Sequence, residues 1–364
     1  WQGEHDGLDA LVRRARQAYL KSIEALQAEF VRLVMAEGWP ATGDQLLWNC
    51  RIFTKIITPL LDAGERVAYF LVDSLRYELG MELEKQLSDK LQVTSQIVCA
   101  QLPTYTEVGM ASLMPDAESK LKLELKDGKL VTTLGGENAT GPATRFNYLR
   151  SCKGDQCDDI DLDALIKAKK SKVSDKVKLL VVRTHDMDTI AHGTPQQVFQ
   201  IIPQLLRQII RGLNKAADLG FSKAVIVTDH GFILFHEQGA GNVASRPAGN
   251  WLVEKNRCML GQGTADSANL VMKSSELGIP GDFKDFAAPK ALVPYSRGQI
   301  YYHEGLSLQE CVLPCLIVQL KGADKKTKTN EAPRLTLTYR QGKTDQITQL
   351  RPVVDLAWPQ ASLI

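Results

Sequence analysis

The sequence predicts an α/β fold with a mostly parallel sheet flanked by helices, on three observations. Apolar runs stand at 67–72, 177–182 (broken only by Lys178) and 224–227, the pattern of strands buried on both faces of a parallel sheet. Helical periodicity lies between them, most clearly from Gln196 to Leu219, where Ile201, Ile202, Leu205, Ile209, Ile210 and Leu213 form an apolar stripe. Strands alternating with helices build α/β sheets. Finally, each run leads into carboxylates or histidines, and open parallel sheets bind ligands at the carboxyl ends of their strands.

Residues 1–64 read as a helical N-terminal segment. Leu8, Leu11, Ala15, Tyr19, Ile23, Leu26, Phe30 and Leu33 recur three or four apart, predicting one helix over 8–37 that Gly38 and Pro40 end. Arg13, Arg14 and Arg16 fall on its polar side, as a solvated face does. A second helical stretch runs from Leu46 to Leu61. The core is expected over 65–320. Within it, 115–175 reads as an insertion: Leu121, Leu123 and Leu125 alternate with polar residues, Asp127-Gly128 supplies a hairpin turn, and Leu130-Val131 starts the return strand. Residues 321–364 read as a polar linker and the start of a β-rich segment, with Leu335, Leu337 and Tyr339 alternating.

Composition excludes several classes. At 364 residues, 44% hydrophobic and 24% charged, the chain has ample apolar material to bury and is no disordered or fibrous sequence. No apolar stretch approaches the roughly 20 residues that span a bilayer, so no membrane partner is expected. A net charge of +2 does not by itself argue for nucleic acid. The seven cysteines are odd in number, and Cys50, Cys99, Cys258, Cys311 and Cys315 sit in apolar sequence, as buried thiols in a reducing compartment do. No signal peptide is visible, and a cytoplasmic location is expected.

Chemistry concentrates where the apolar runs end. Asp73 follows the first. Arg183, Thr184, His185, Asp186 and Asp188 follow the second, with His192 four residues after Asp188, a spacing that puts both on one face of a helical turn. Asp229-His230 follows the third, and His303 closes another strand-like stretch. Taken singly, an aspartate after a strand is an ordinary turn or cap residue; the joint pattern points to a metal site. The segment 103–110, Pro-Thr-Tyr-Thr-Glu-Val-Gly-Met, places Thr104 and Thr106 at the start of a short helix, where the dipole favours an attacking alkoxide and a phosphate.

The order Asp73, Thr106, Asp188, His192, Asp229, His230, His303 resembles the two-metal site of the alkaline phosphatase superfamily. Asp-Ser-Leu-Arg-Tyr-Glu at 73–78, the segment 103–110, and His-Glu-Gly-Leu-Ser-Leu-Gln-Glu at 303–310 are similar to the PglZ-domain family of BREX phage-defence systems, over roughly 66–320. The resemblance implies an alkaline-phosphatase-like core in which Asp73, Asp229 and His230 hold one metal, completed by Thr106 as nucleophile. Asp188, His192 and His303 would hold the other. It favours Thr106 over Thr104, because related phosphodiesterases place the nucleophile at the second threonine of such a motif. Other BREX defence proteins are the implied partners. This chain carries Glu304 where the family often has glycine, and it shows no counterpart of the superfamily's third, magnesium site.

Mixed Asp/His ligands without thiolates suit Zn²⁺, with Mn²⁺ its competitor. Two divalent ions against three carboxylates leave a formal charge of about +1, which attracts phosphate. Arg183, His185 and Arg76 are candidates to bind it, with structural salt bridges as the competing role. The expected function is a two-metal phosphodiesterase, acting as a DNA nuclease in phage defence with DNA as a candidate partner. A phosphomonoesterase, or a non-catalytic scaffold of a defence complex, is the alternative.

Overall fold

The computed structural model describes residues 9–40, 46–169, 173–184, 198–234, 243–296, 301–320, 336–339 and 354–357. The chain divides into two units, Trp1–Gly322 and Ala323–Ile364.

Helix α1 (Asp9–Glu37) opens the first unit. Of the stripe read from its sequence, Phe30 is buried, whereas Leu11, Tyr19, Leu26 and Leu33 are exposed. The face that meets the body is instead Gln27, Phe30, Val31 and Val34, with Phe30 packed edge-on against Trp39 at 5.6 Å. Periodicity located the helix but not what covers it. Strand β1 (Leu47–Trp48) follows, then irregular helical turns, α2 (Thr58–Asp62), β2 (Val67–Val72), α3 (Tyr77–Ser88), β3 (Gln92–Cys99) and α4 (Thr106–Ser112).

Next come α5 (Ala117–Lys120), β4 (Leu121–Lys126), β5 (Lys129–Leu134), β6 (Glu137–Asn138) and α6 (Pro142–Lys153). Strands β4, β5 and β6 form a small antiparallel sheet of their own, turning at Asp127-Gly128, where both residues adopt positive φ. The chain continues through β7 (Cys157–Asp161), α7 (Leu162–Lys167), β8 (Leu179–Arg183), α8 (Val198–Asp218) and β9 (Lys223–Thr228). After β10 (Ile233–Leu234), strands β11 (Gly249–Glu254), β12 (Met259–Gly263), β13 (Asn269–Lys273) and β14 (Asp285–Pro289) make a second, four-stranded antiparallel sheet. Then β15 (Tyr301–Tyr302), α9 (Leu308–Cys311) and β16 (Val312–Gln319) close the unit.

The central sheet has seven strands in the order β1-β3-β16-β9-β2-β8-β7. Every neighbouring pair is parallel except the two that β16 makes, so the mostly parallel sheet read from the sequence is present. The apolar runs are continuous because both faces are covered. Val67, Tyr69 and Leu71 of β2 point into one core and Ala68, Phe70 and Val72 into the other; Val225 and Val227 of β9 alternate with Ala224 and Ile226 in the same way. Helices α3, α7 and α8 supply Leu83, Leu162, Ile209 and Leu213 to the second core.

In the second unit, β17 (Thr336–Tyr339) and β18 (Val354–Ala357) pair antiparallel. No described helix is long and apolar enough to cross a membrane.

Candidate active site

The site is built where β2 and β9 end side by side. Their parallel register sets Val72 opposite Thr228, so the next residues, Asp73 and Asp229, emerge together. Strand β8 flanks them, and the Thr184 hydroxyl beyond its end accepts the Asp73 N–H at 3.0 Å. Ser74 turns the chain sharply with φ +56°, a left-handed conformation uncommon outside glycine. That turn aims the Ser74 N–H at Asp229 Oδ1, 3.1 Å away. The Thr228 hydroxyl accepts the Leu75 N–H at 2.9 Å and donates to the His230 carbonyl at 2.9 Å, locking the two strand ends together.

These bonds leave a specific vacancy in hydrogen bonding. Asp229 Oδ1 takes two backbone N–H groups, from Ser74 and from His230 at 2.9 Å. Asp229 Oδ2 is buried and has no hydrogen-bond partner among the described residues. One atom each from Asp73, Asp229 and His230 lies within 4.8 Å of the others, and all three residues are buried. His230 places Nδ1 2.9 Å from the Gly231 carbonyl. That contact places a proton on Nδ1, and Nε2 faces Asp229 Oδ2, 3.4 Å away. Two carboxylates and an imidazole so arranged fit a divalent cation such as Zn²⁺ or Mn²⁺.

Thr106 is the first residue of α4, and its Oγ1 stands 3.2 Å from His230 Nε2. The helix reaches this position because residue 109 is glycine: a Cβ there would sit 2.7 Å from Asp229 Cβ and 2.9 Å from the Asp229 carbonyl oxygen. Thr104, by contrast, is fully buried and donates its hydroxyl to the Gly305 carbonyl at 2.7 Å. The two threonines therefore face different neighbours.

His303 lies flat on His230, ring centres 4.4 Å apart with planes 4° from parallel. Its Nδ1 faces the Thr104 carbonyl at 3.1 Å, and Tyr105 stacks on it at 6.5 Å. It stands beside the Asp73–Asp229–His230 cluster rather than within it. The following residue, Glu304, adopts φ +87° and accepts the Asn256 N–H through Oε2 at 2.7 Å. The loop thus keeps a glycine-like conformation with a glutamate in it. Asp188, His192 and His185 lie outside the described residues.

A cleft of about 170 Å³ opens at this strand end, lined among others by Asp73, Thr106, Arg145, Phe146, Arg183 and Thr184. Arg183 faces it but is paired with Asp159 at 2.7 Å. Arg76 does not line it; that side chain pairs with Glu78 and rests on the Phe232 ring, 5.3 Å from its centre. Burial pushes the Glu107 carboxyl, next to Thr106, above its usual range, against the opposing pull of Lys255.

Several residues that shape the site escaped the sequence reading. Asn49 Nδ2 donates to the carbonyls of Thr228 and Asp229, at 3.2 and 3.1 Å. Gln27 Nε2, from α1, donates to the Leu306 carbonyl at 2.9 Å, bracing the loop after His303. Arg145, on α6, is buried in the cleft wall. None carries a local signal, since polar residues on helices or in turns are ordinarily solvated.

A family model described as the BREX system PglZ alkaline phosphatase-like domain matches residues 52–318. The chain belongs to this family. It is 24% identical over 359 residues to the alkaline phosphatase-like protein PglZ of Bacillus cereus (strain H3081.97), covering 91% of this chain and 40% of that protein. It is 25% identical over 338 residues to the alkaline phosphatase-like protein BrxZ of Escherichia coli O9:H4 (strain HS), covering 86% of this chain and 38% of that protein. The PglZ domain described here thus spans about two fifths of the length of these relatives. Among solved structures, human ectonucleotide pyrophosphatase/phosphodiesterase 5 superposes with a TM-score of 0.50 at 8% identity, covering 70% of this chain and 88% of that one. That likeness shows the fold: an alkaline-phosphatase-like α/β core.

Proposed function

We propose that this PglZ domain is a two-metal-dependent phosphodiesterase that cleaves DNA in phage defence, with Thr106 as its nucleophile and other BREX proteins as its partners. The observation that carries the reading is the convergence of Asp73, Asp229 and His230 on one buried point, with the Thr106 hydroxyl against His230 Nε2. Asp188, His192 and His303 are the proposed ligands of the second ion. Zn²⁺ is the proposed metal, Mn²⁺ its competitor. Bound divalent ions supply Lewis-acid stabilisation of the phosphoryl oxygens and lower the hydroxyl pKa at the nucleophile.

The chain's own residues do the rest. Helix α4 presents Thr106 Oγ1 at its first turn, where backbone N–H groups and the helix dipole favour negative charge on that oxygen. The Ser74 and His230 N–H groups fix the Asp229 carboxylate, so no reorganisation is needed as charge develops. The Gly231 carbonyl orients His230 so that its Nε2 faces the nucleophile. Attack by Thr106 on a diester forms a threonyl phosphodiester that keeps one of the two ester groups and releases the other as an alcohol, which takes up the hydroxyl proton; water then displaces the threonine oxygen, releasing a phosphomonoester and restoring the hydroxyl.

The test is hydrolysis of bis-nitrophenyl phosphate against mono-nitrophenyl phosphate by metal-analysed protein, with and without chelator, followed by plasmid nicking at low and high salt. Faster diester turnover that chelator abolishes is expected, with DNA contacts through phosphates weakening as salt rises. Faster monoester turnover without nicking would replace this reading with a phosphatase. Metal-loaded protein inert on both substrates would replace it with a scaffold.

A further inference from the structure

We propose that Arg145 is the phosphate-binding residue of this site, a guanidinium delivered by α6 to take the non-bridging oxygens of the ester presented to Thr106. The proposal rests on the phosphodiesterase reading above.

Arg145 is only 8% exposed, and arginines that deeply placed are almost always paired with an anion. The fully buried Arg257 obeys that rule with Glu310, and the less buried Arg183 and Arg76 are paired as well, with Asp159 and Glu78. Arg145 has no carboxylate oxygen within 4.0 Å among the described residues. Its Nη1 donates to the carbonyls of Ala139 and Thr140, which fixes the side chain, and its other donors make no hydrogen bond among the described residues. The group borders the same cleft as Asp73 and Thr106. It feels the charges of Asp229, Glu107 and Asp73 from beyond contact distance, and burial lowers its pKa only to about 10, so it stays cationic at neutral pH.

A buried cation with no anion of its own is costly in the free protein. An incoming phosphate removes that cost, and the planar fork of a guanidinium matches two phosphate oxygens at once. The charge also selects the substrate. Two divalent ions with Asp73, Asp188 and Asp229 leave a formal charge of about +1, and Arg145 raises it to about +2. An ionised Thr106 and a singly charged diester bring the site to neutrality, whereas a monoester dianion overshoots. Arg183 cannot take this role as readily, because Asp159 already neutralises it.

The experiment titrates inorganic phosphate calorimetrically into Zn²⁺-loaded parent, Arg145→Ala and Arg145→Lys proteins, with metal content and thermal unfolding measured on each. Removing a charge-assisted hydrogen bond to phosphate is expected to raise its Kd at least about tenfold in both variants, with metal content unchanged. Phosphate should raise the Tm of the parent more than that of Arg145→Ala. Millimolar guanidinium should restore diester turnover to Arg145→Ala but not to Thr106→Ala. Arg145→Lys keeps a charge and a donor for the Ala139 and Thr140 carbonyls, so its Kd decides the matter if the alanine variant folds poorly. A phosphate Kd in Arg145→Lys and Arg145→Ala within about twofold of the parent, while the parent hydrolyses diester, would overturn the Arg145 proposal and leave the phosphodiesterase reading standing. A metal-loaded parent that neither binds phosphate nor hydrolyses diester would overturn both.

Discussion

Arg257 and Glu310 form a fully buried, two-pronged ion pair, Nε to Oε1 at 3.0 Å and Nη2 to Oε2 at 3.1 Å. Glu310 does more than neutralise the arginine. Its Oε1 also accepts the Gly305 N–H at 3.0 Å, and its backbone carbonyl accepts the Gly231 N–H at 3.0 Å. One residue therefore ties the loop after His303 to the loop after His230, while Arg257, between β11 and β12, also donates to the Val293 carbonyl beyond β14 at 2.7 Å.

Breaking this pair should be severe. Glu310→Ala leaves a buried guanidinium without its anion and the Gly305 N–H without its acceptor, while the backbone bond to Gly231 is kept, and the expected loss is about 3–5 kcal/mol. Urea unfolding measures it. A loss below about 1 kcal/mol would show that water or a neighbouring group replaces the carboxylate and that the loop after His303 holds without it.

Thr106→Ala should lower diester turnover by at least roughly a thousandfold, about 4 kcal/mol of barrier, with the fold intact. Thr104→Ala should act differently. It removes the hydroxyl bond to the Gly305 carbonyl and so costs about 1 kcal/mol of stability, with a milder effect on turnover. If Thr104→Ala abolishes activity and Thr106→Ala leaves it intact, the nucleophile has been misassigned.

Much of this could be read from the sequence, for identifiable reasons. Strands β2 and β9 carry unbroken apolar runs because helices cover both faces of the sheet, and their ends announced Asp73, Asp229 and His230. Strand β7 went unread because Cys-Asp-Asp-Ile-Asp, with three aspartates in five residues, sits at the sheet edge, where its polar residues can face solvent or pair with Arg183. Strands β11–β14 went unread as well, since short, mixed runs bounded by glycines give no clear period. Gln27, Asn49 and Arg145 were illegible for another reason: each is a polar residue far in sequence from the loop it braces or the cleft it borders, and only the tertiary fold buries it. The α1 stripe shows the converse, since an amphipathic pattern is present and most of its apolar positions remain exposed.

Metal occupancy should separate into two groups of ligands. Asp229→Ala removes the carboxylate whose Oδ2 is buried without a hydrogen bond, and should empty the site formed with Asp73 and His230 while largely sparing the other. Asp188→Ala or His303→Ala should do the reverse. Elemental analysis of metal-replete parent protein should find two ions per chain. Finding one, or none, would defeat the two-site reading.

The last prediction needs no change to any ligand. Gly109 lets α4 approach the end of β9 so closely that a Cβ would fall 2.7 Å from Asp229 Cβ and 2.9 Å from its carbonyl oxygen. Backbone and a short, fully buried side chain cannot retreat as a flexible side-chain tip can, so Gly109→Ala must move either the helix that carries Thr106 or the strand end that carries Asp229. Alanine otherwise favours a helix interior over glycine by roughly 0.5–1 kcal/mol, which gives the test a clear sign. If the close approach matters, Gly109→Ala should destabilise the protein by about 1–3 kcal/mol, as overpacking does, and should weaken Zn²⁺ affinity measured by competition with a chromogenic chelator. The control is Gly128→Ala in the β4–β5 turn, where φ is +71° and no atom lies within 4 Å of the added Cβ; backbone strain should lower stability there with Zn²⁺ affinity unchanged. A Gly109→Ala protein as stable as its parent, with the same Zn²⁺ affinity, would mean that the spacing between α4 and β9 is not what positions Thr106 against Asp229.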